Sequence, residues 1–204
     1  MKKLLGVALI LASFLRPSPA QSPTNLETFT NPDGAFHFLY PANYELLVGD
    51  RILRATQGRS PGIPVCDFSI ALVCVIYPIE ELDSARLEAA GFSVETVPGA
   101  TAEGDCLPYS NLSGAGQPEP SSLKINGRVF HEVSTTRLIA GHAQSVHLYR
   151  TFQGERCYEL RIAVSASDEP LPQARPTAKT AEEAKAEKVR ESLRLILGSF
   201  AFRD

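Results

Sequence analysis

A chain of 204 residues that is 44% hydrophobic and 21% charged has the make-up of a folded protein, with enough apolar material for a sizeable core. Twenty basic against 23 acidic side chains, without a basic run, exclude nucleic acid and anionic lipid surfaces as natural targets.

The N-terminus, MKKLLGVALILASFLRPSPA, reads as a bacterial secretory signal: two lysines, an apolar run over 4–15, then small residues ahead of a cleavage point. Cleavage after Ala20 is expected to leave Gln21 as the first residue of one 184-residue domain, 21–204, with 17 basic and 23 acidic residues and a charge of −6. No second apolar stretch of that kind follows, so no transmembrane anchor is expected. The destination is periplasmic or secreted. Four cysteines, Cys66, Cys74, Cys106 and Cys157, survive processing, and an even count in an exported chain predicts two disulfides.

Asn31-Pro32-Asp33-Gly34 suits a β-turn. Phe36, Phe38 and Tyr40 then alternate at period two, so one strand face is aromatic and Pro41 ends the ladder. A second run over 44–48 is expected to complete a hairpin that caps a core. Residues 52–56 read as a short strand, and 58–64 as a Gly- and Pro-rich loop. The run CDFSIALVCVIYP, bounded by Pro64 and Pro78, predicts one buried central strand. On that reading Cys66 and Cys74 lie about 26 Å apart, so each must pair with Cys106 or Cys157; of the two pairings open, Cys66–Cys106 with Cys74–Cys157 is favoured because Cys66 and Cys106 both lie near loops. Residues 80–90 predict a helix ended by Gly91, and 92–97 a strand.

Residues 98–122 read as a long loop, followed by strands at 123–137, 143–152 and 156–165 in an antiparallel meander with Gln153-Gly154-Glu155 as the last connection. Beyond a proline-rich connector, 166–179, an amphipathic helix is expected with a capping box at Thr180 and Glu183, an apolar face of Val189, Leu193, Ile196 and Leu197, and Gly198 as terminator. The fold class predicted is α+β, an antiparallel sheet flanked by helices.

Two motifs carry a family likeness. DGAFHFLYPANYEL and LRLILGSFAF resemble the opening and closing patterns of the PsbP-like α/β/α sandwich family, over roughly residues 27–202. Tyr44 stands where that family often has tryptophan, and neither the four cysteines nor the 98–122 loop belongs to its pattern. The resemblance implies an accessory or binding protein of the kind found in photosystem assembly, nuclear import and bacterial envelopes. It supplies no catalytic residue.

Catalytic signatures are missing from the sequence: no Gly-x-Ser-x-Gly elbow, no phosphate-binding glycine loop and no metal knuckle. Cys106 beside Asp105, with His131 or His142, is the only thiol-hydrolase arrangement to weigh, and oxidation would consume its thiol. His131, Glu132, His142 and His147 fall within seventeen residues, but His131 and Glu132 point to opposite strand faces, so no metal site and no cofactor are expected. A binding patch is expected instead. With Val146, Leu148 and Phe152 assigned to one core face beside Tyr158, Leu160, Ile162 and Val164, the other face carries His147, Tyr149 and Thr151 beside Glu159 and Arg161. The plainer reading of the same set is solvated charges, Glu159 and Arg161, beside a second-layer loop; as a patch, His147, Tyr149, Glu159 and Arg161 are the predicted contacts for a protein or small-molecule partner in the envelope, Tyr149 and Arg161 being of the types that dominate interface energetics. The rival reading is a small secreted hydrolase or metal-dependent enzyme using the 98–122 loop.

Overall fold

The computed structural model describes residues 25–52, 65–67, 69–82, 86–107, 120–139, 142–167 and 176–203. The expected signal segment, most of 52–64 and the stretch 108–119 lie outside the described residues. No described helix is long and apolar enough to cross a membrane.

Among the described residues ten strands form two antiparallel sheets. In the small one β2 (Phe36–Pro41) lies between β1 (Leu26–Thr30) and β10 (Ala201–Phe202). The large one runs in the order β3 (Glu45–Val48), β4 (Ala71–Ile76), β5 (Leu87–Thr96), β9 (Arg156–Ser167), β8 (His142–Gln153), β7 (Arg128–Ile139), β6 (Ser121–Ile125). A four-residue helix α1 (Glu103–Cys106) and the long α2 (Pro176–Ser199) complete it. The antiparallel sheet agrees with the sequence reading. The helical flanks agree only on one side, because α2 covers one face and no comparable helix covers the other among the described residues.

The aromatic alternation at 36–40 does what its period requires: Phe36 and Phe38 are fully buried and Tyr40 nearly so. Its hairpin partner is β1, however, through a turn in which the Gly34 N–H donates to Asn31 O at 2.8 Å and Gly34 takes φ +76°. The run at 44–48 leaves for the edge of the other sheet as β3. The two motifs that carried the family likeness meet in space. Phe36 packs 5.3 Å from Phe200, Phe202 pairs with Phe36 across β10 and β2, and Ser199 Oγ accepts the Leu39 N–H at 2.8 Å.

Several local expectations are overturned. The run 66–78 is not one strand: a turn over 67–70, with the Ile70 N–H on Asp67 O, precedes β4, and Asp50 to Ile52 form a helical turn instead of a strand start. That turn folds Cys66 back onto Cys74, Cα to Cα 6.2 Å, and Cys106 bridges Cys157 at 5.3 Å, so the predicted pairing is replaced by Cys66–Cys74 and Cys106–Cys157. Where a helix is expected over 80–90, the described residues hold a 3-10 turn at Ile79–Glu81 and strand from Leu87 to Ala90, paired with β9. Gly91 sits inside β5 and not at a helix end, where a Cβ would lie 2.8 Å from Val75 O and 2.9 Å from Val65 Cγ2. The strand predicted at 123–137 is interrupted by Asn126 and Gly127, both at positive φ, in a two-residue hairpin turn between β6 and β7. Finally, α2 starts at Pro176, which puts Thr180 inside the helix, and runs through Gly198 to Ser199, with Asn126 Nδ2 donating to the carbonyls of Gly198 and Phe200.

The β8–β9 turn is the most consequential. Gly154 and Glu155 both adopt the left-handed region, φ +56° and +63°, and Gln153 pairs with Arg156. A two-residue loop replaces the three-residue connection expected, so the register slips by one and every face assignment on β9 relative to β8 reverses. Glu155 is an L-residue where this turn type favours glycine. Glu155→Gly is therefore expected to raise stability by about 0.5–1 kcal/mol in urea denaturation, the relief of backbone strain outweighing the added unfolded-state freedom; a loss of that size would refute the turn.

Candidate functional site

The register sorts the meander into two faces. Toward α2 lie Tyr149, Tyr158, Leu160, Ile162 and Val164, in one cluster with Phe92, Val94 and the helix residues Val189, Leu193, Ile196 and Leu197. The opposite face places Ala163, Val146, Leu148 and Val133 together with Leu47, Ile52, Val65 and the Cys66–Cys74 bridge. The four predicted contacts are thereby divided: His147 and Tyr149 share the helix face, whereas Glu159 and Arg161 lie on the other. The single patch predicted from sequence does not exist as such. Tyr149 is 2% exposed and belongs to the core, so a substitution there acts on packing.

On the helix side, His147 Nδ1 lies 2.8 Å from Ser134 Oγ and 3.3 Å from Glu132 Oε1, and the Tyr149 hydroxyl bonds with Glu132 and Arg194. Burial, and then the Glu132 charge, push the Tyr149 phenol above its ordinary range. Serine and carboxylate meet the same ring nitrogen, so the histidine cannot relay a proton between them as a nucleophile–base–orienter set requires. His142 is elsewhere, its Nδ1 2.6 Å from Glu88 Oε2, and His131 is on the far face. Among the described residues no three His, Cys, Asp or Glu side chains stand together to hold a metal. Cys106 is bridged, which removes the thiol that the hydrolase reading needs. An open groove of about 280 Å³ beside Val97 and Ala100, at the start of the predicted loop, is walled by Leu72, Glu155 and Arg156; its lining holds no histidine or serine.

On the face away from α2, a block of polar and charged side chains crosses the centre of the sheet. Glu95, Glu159, Arg150 and His131 occupy one row across β5, β9, β8 and β7; Ser93 and Arg161 belong to the next; Ser165, Gln144 and Arg137 to the row two further along. Glu95 is 1% exposed, its Oε1 accepting from Ser93 Oγ at 2.6 Å and the Asp67 N–H at 3.1 Å, while its buried Oε2 has no partner. Desolvation raises its pKa to about 7, against the pull of Arg161. Arg150 Nε donates to Glu159 Oε2 at 2.5 Å, both side chains under a tenth exposed, and Arg150 Nη1 reaches Cys106 O at 3.5 Å. Arg161 extends along the sheet to Gln144 Oε1 at 3.4 Å, and Gln144 Nε2 donates to Ser165 Oγ at 3.2 Å. Sequence reasoning found Glu159 and Arg161 of this set and missed Ser93, Glu95, Arg137, Gln144 and Arg150. The available signal was polar residues spaced by even numbers within apolar strands, Ser93 and Glu95, Gln144 and Arg150, Glu159 and Arg161.

No family model matches the sequence, and no curated protein matches it. Solved structures similar to the chain include the cyanobacterial PsbP (CyanoP) of Synechocystis, 12% identical over 93% of this chain and 99% of that one, with a TM-score of 0.46. LpqN of Mycobacterium tuberculosis, described as involved in cell envelope biogenesis, is 11% identical over 88% and 91%, TM-score 0.45. A Bacteroides thetaiotaomicron protein is 13% identical over 87% of this chain, TM-score 0.43; the chain spans about half of its length, 48%. The first of these neighbours bears the name of the family that the two terminal motifs resemble.

Proposed function

We propose that this chain is an exported, non-catalytic binding protein of a bacterial cell envelope, which receives its ligand or partner on the sheet face away from α2. The observation that carries the reading is the block of charged and amide side chains in the middle of that face. Desolvating them costs several kcal/mol per ion when pairing is incomplete, and Glu95 and Arg161 keep buried polar atoms without partners. A sheet face that only had to pack would hold apolar residues there, as Val146 and Ala163 do between the polar rows. Export is supported by the N-terminal segment and by two disulfides, which persist in oxidising compartments.

Two measurements test this. Protein recovered from its own bacterium is expected to have an intact mass that begins at Gln21. A photo-crosslinking residue at Thr135, half-buried on the proposed face, is expected to give a defined mass adduct in envelope material, while one at Leu195, 77% exposed on α2, gives none. Adducts from position 195 alone would move the binding surface to the helix side.

A further inference from the structure

Arg137 and Arg161 come together on the proposed face with donors left over. In the ladder Arg137 stands opposite Gln144, and Arg161 reaches that same Gln144 from two rows away, so both arginines lie beside one amide residue. Burial first, then the charge of Arg161, push the Arg137 pKa below its ordinary value. Among the described residues Arg137 makes no hydrogen bond or ion pair, and the buried Arg161 Nε has no partner. The neighbouring carboxylates offset these charges only in part: Glu159 attracts Arg137 but accepts a hydrogen bond from Arg150 at 2.5 Å, and Glu95 attracts Arg161 but spends Oε1 on Ser93 and the Asp67 N–H. Two adjacent guanidiniums, each half-buried and neither fully paired, repel one another until a group with several acceptor oxygens lies between them.

We propose that Arg137 and Arg161, with Gln144 between them, form a binding site for a small oxyanion, a carboxylate or phosphate solute. The site rests on the binding-face reading above and gives that face a ligand chemistry. Planar forks match carboxylate and phosphate oxygens in pairs, and partial removal from water strengthens each contact over its value in bulk solvent.

Calorimetric titration of the full exported chain with inorganic phosphate and with succinate, each at ionic strength matched by sodium chloride, decides it. The expected result is one-to-one binding of at least one anion with a Kd in the millimolar range or tighter, weakened at least tenfold in Arg137→Gln, whose melting temperature stays that of the parent. Binding of phosphate alone assigns phosphorylated solutes, and binding of succinate alone assigns carboxylates. Arg161→Gln should weaken the same anion; should it unfold, Arg137→Gln still carries the test. Absence of binding by both anions, or equal binding by Arg137→Gln, overturns the site. Thr135 adducts without anion binding would remove the oxyanion site and leave the binding face standing, whereas anion binding without adducts would keep the face as a solute site and remove a macromolecular partner from it.

Discussion

Replacing Cys106 and Cys157 together by alanine is expected to cost about 4 kcal/mol, and replacing Cys66 and Cys74 about 2.5 kcal/mol, by the loop-closure entropy of bridges separated by 51 and 8 residues. The first cost is a large share of the total stability of a domain of this size, which is of order 5–15 kcal/mol. It also has a local component. Cys106 ends α1 and Cys157 is the second residue of β9, so the bridge holds the Cys106 carbonyl against Arg150 and thereby the Arg150–Glu159 pair. The short bridge does less for the unfolded chain, because its turn at 67–70 already brings the two cysteines near each other. Urea denaturation of the two double variants measures the order. A Cys66/Cys74 variant that loses more than the Cys106/Cys157 variant sinks the argument, as would non-reducing peptide maps that link Cys66 to Cys106.

What could be read from the sequence followed from periodicity, and what could not followed from single turns. The alternation of Phe36, Phe38 and Tyr40 and the spacing of Val189, Leu193, Ile196 and Leu197 each repeat over several residues, and those faces are buried as read. By contrast, the 67–70 turn and the Gly154-Glu155 turn are each decided by two or three residues. Reading 153–155 as the connection instead of 154–155 moved Glu159 and Arg161 to the wrong side of the sheet. Leu87 to Ala90 show a different failure. Leu-Glu-Ala-Ala favours a helix locally, yet pairing with β9, and the Tyr77 N–H on Ala90 O, outweigh a propensity difference of a few tenths of a kcal/mol per residue. The candidate face was half legible for the same reason: Glu159 and Arg161 stood out in an apolar run, but only the register shows that Gln144, Arg150 and Arg137 join them.

The stability of the protein is expected to fall as pH rises from about 4.5 to about 7, by about 3 kcal/mol from Glu95 alone. In the unfolded chain this carboxyl has its ordinary pKa, 4.5; in the fold, burial raises it to about 7. Between those values the unfolded state has released its proton and the folded state has not, so each step upward in pH favours unfolding. Below 4.5 both states are protonated and the contribution is fully present; above 7 both are ionised and it has been lost. The cause is structural. Glu95 sits 1% exposed with Oε2 unpartnered, and Arg161 and two donors to Oε1 compensate only part of the cost of charging it. Glu187 works the other way: its hydrogen bond from Arg190, and then that from Arg194, lower its pKa, so it adds stability above its ordinary range. Glu95→Gln separates the two, since it keeps an acceptor for Ser93 and the Asp67 N–H, removes the proton, and leaves Glu187 untouched. Denaturation across pH 4.5 to 7.5 should show the parent losing stability relative to Glu95→Gln, so that the variant is the more stable protein at the upper end. Parallel pH profiles for parent and variant would mean that Glu95 titrates as an ordinary carboxylate and that the face is more open to water than its burial implies.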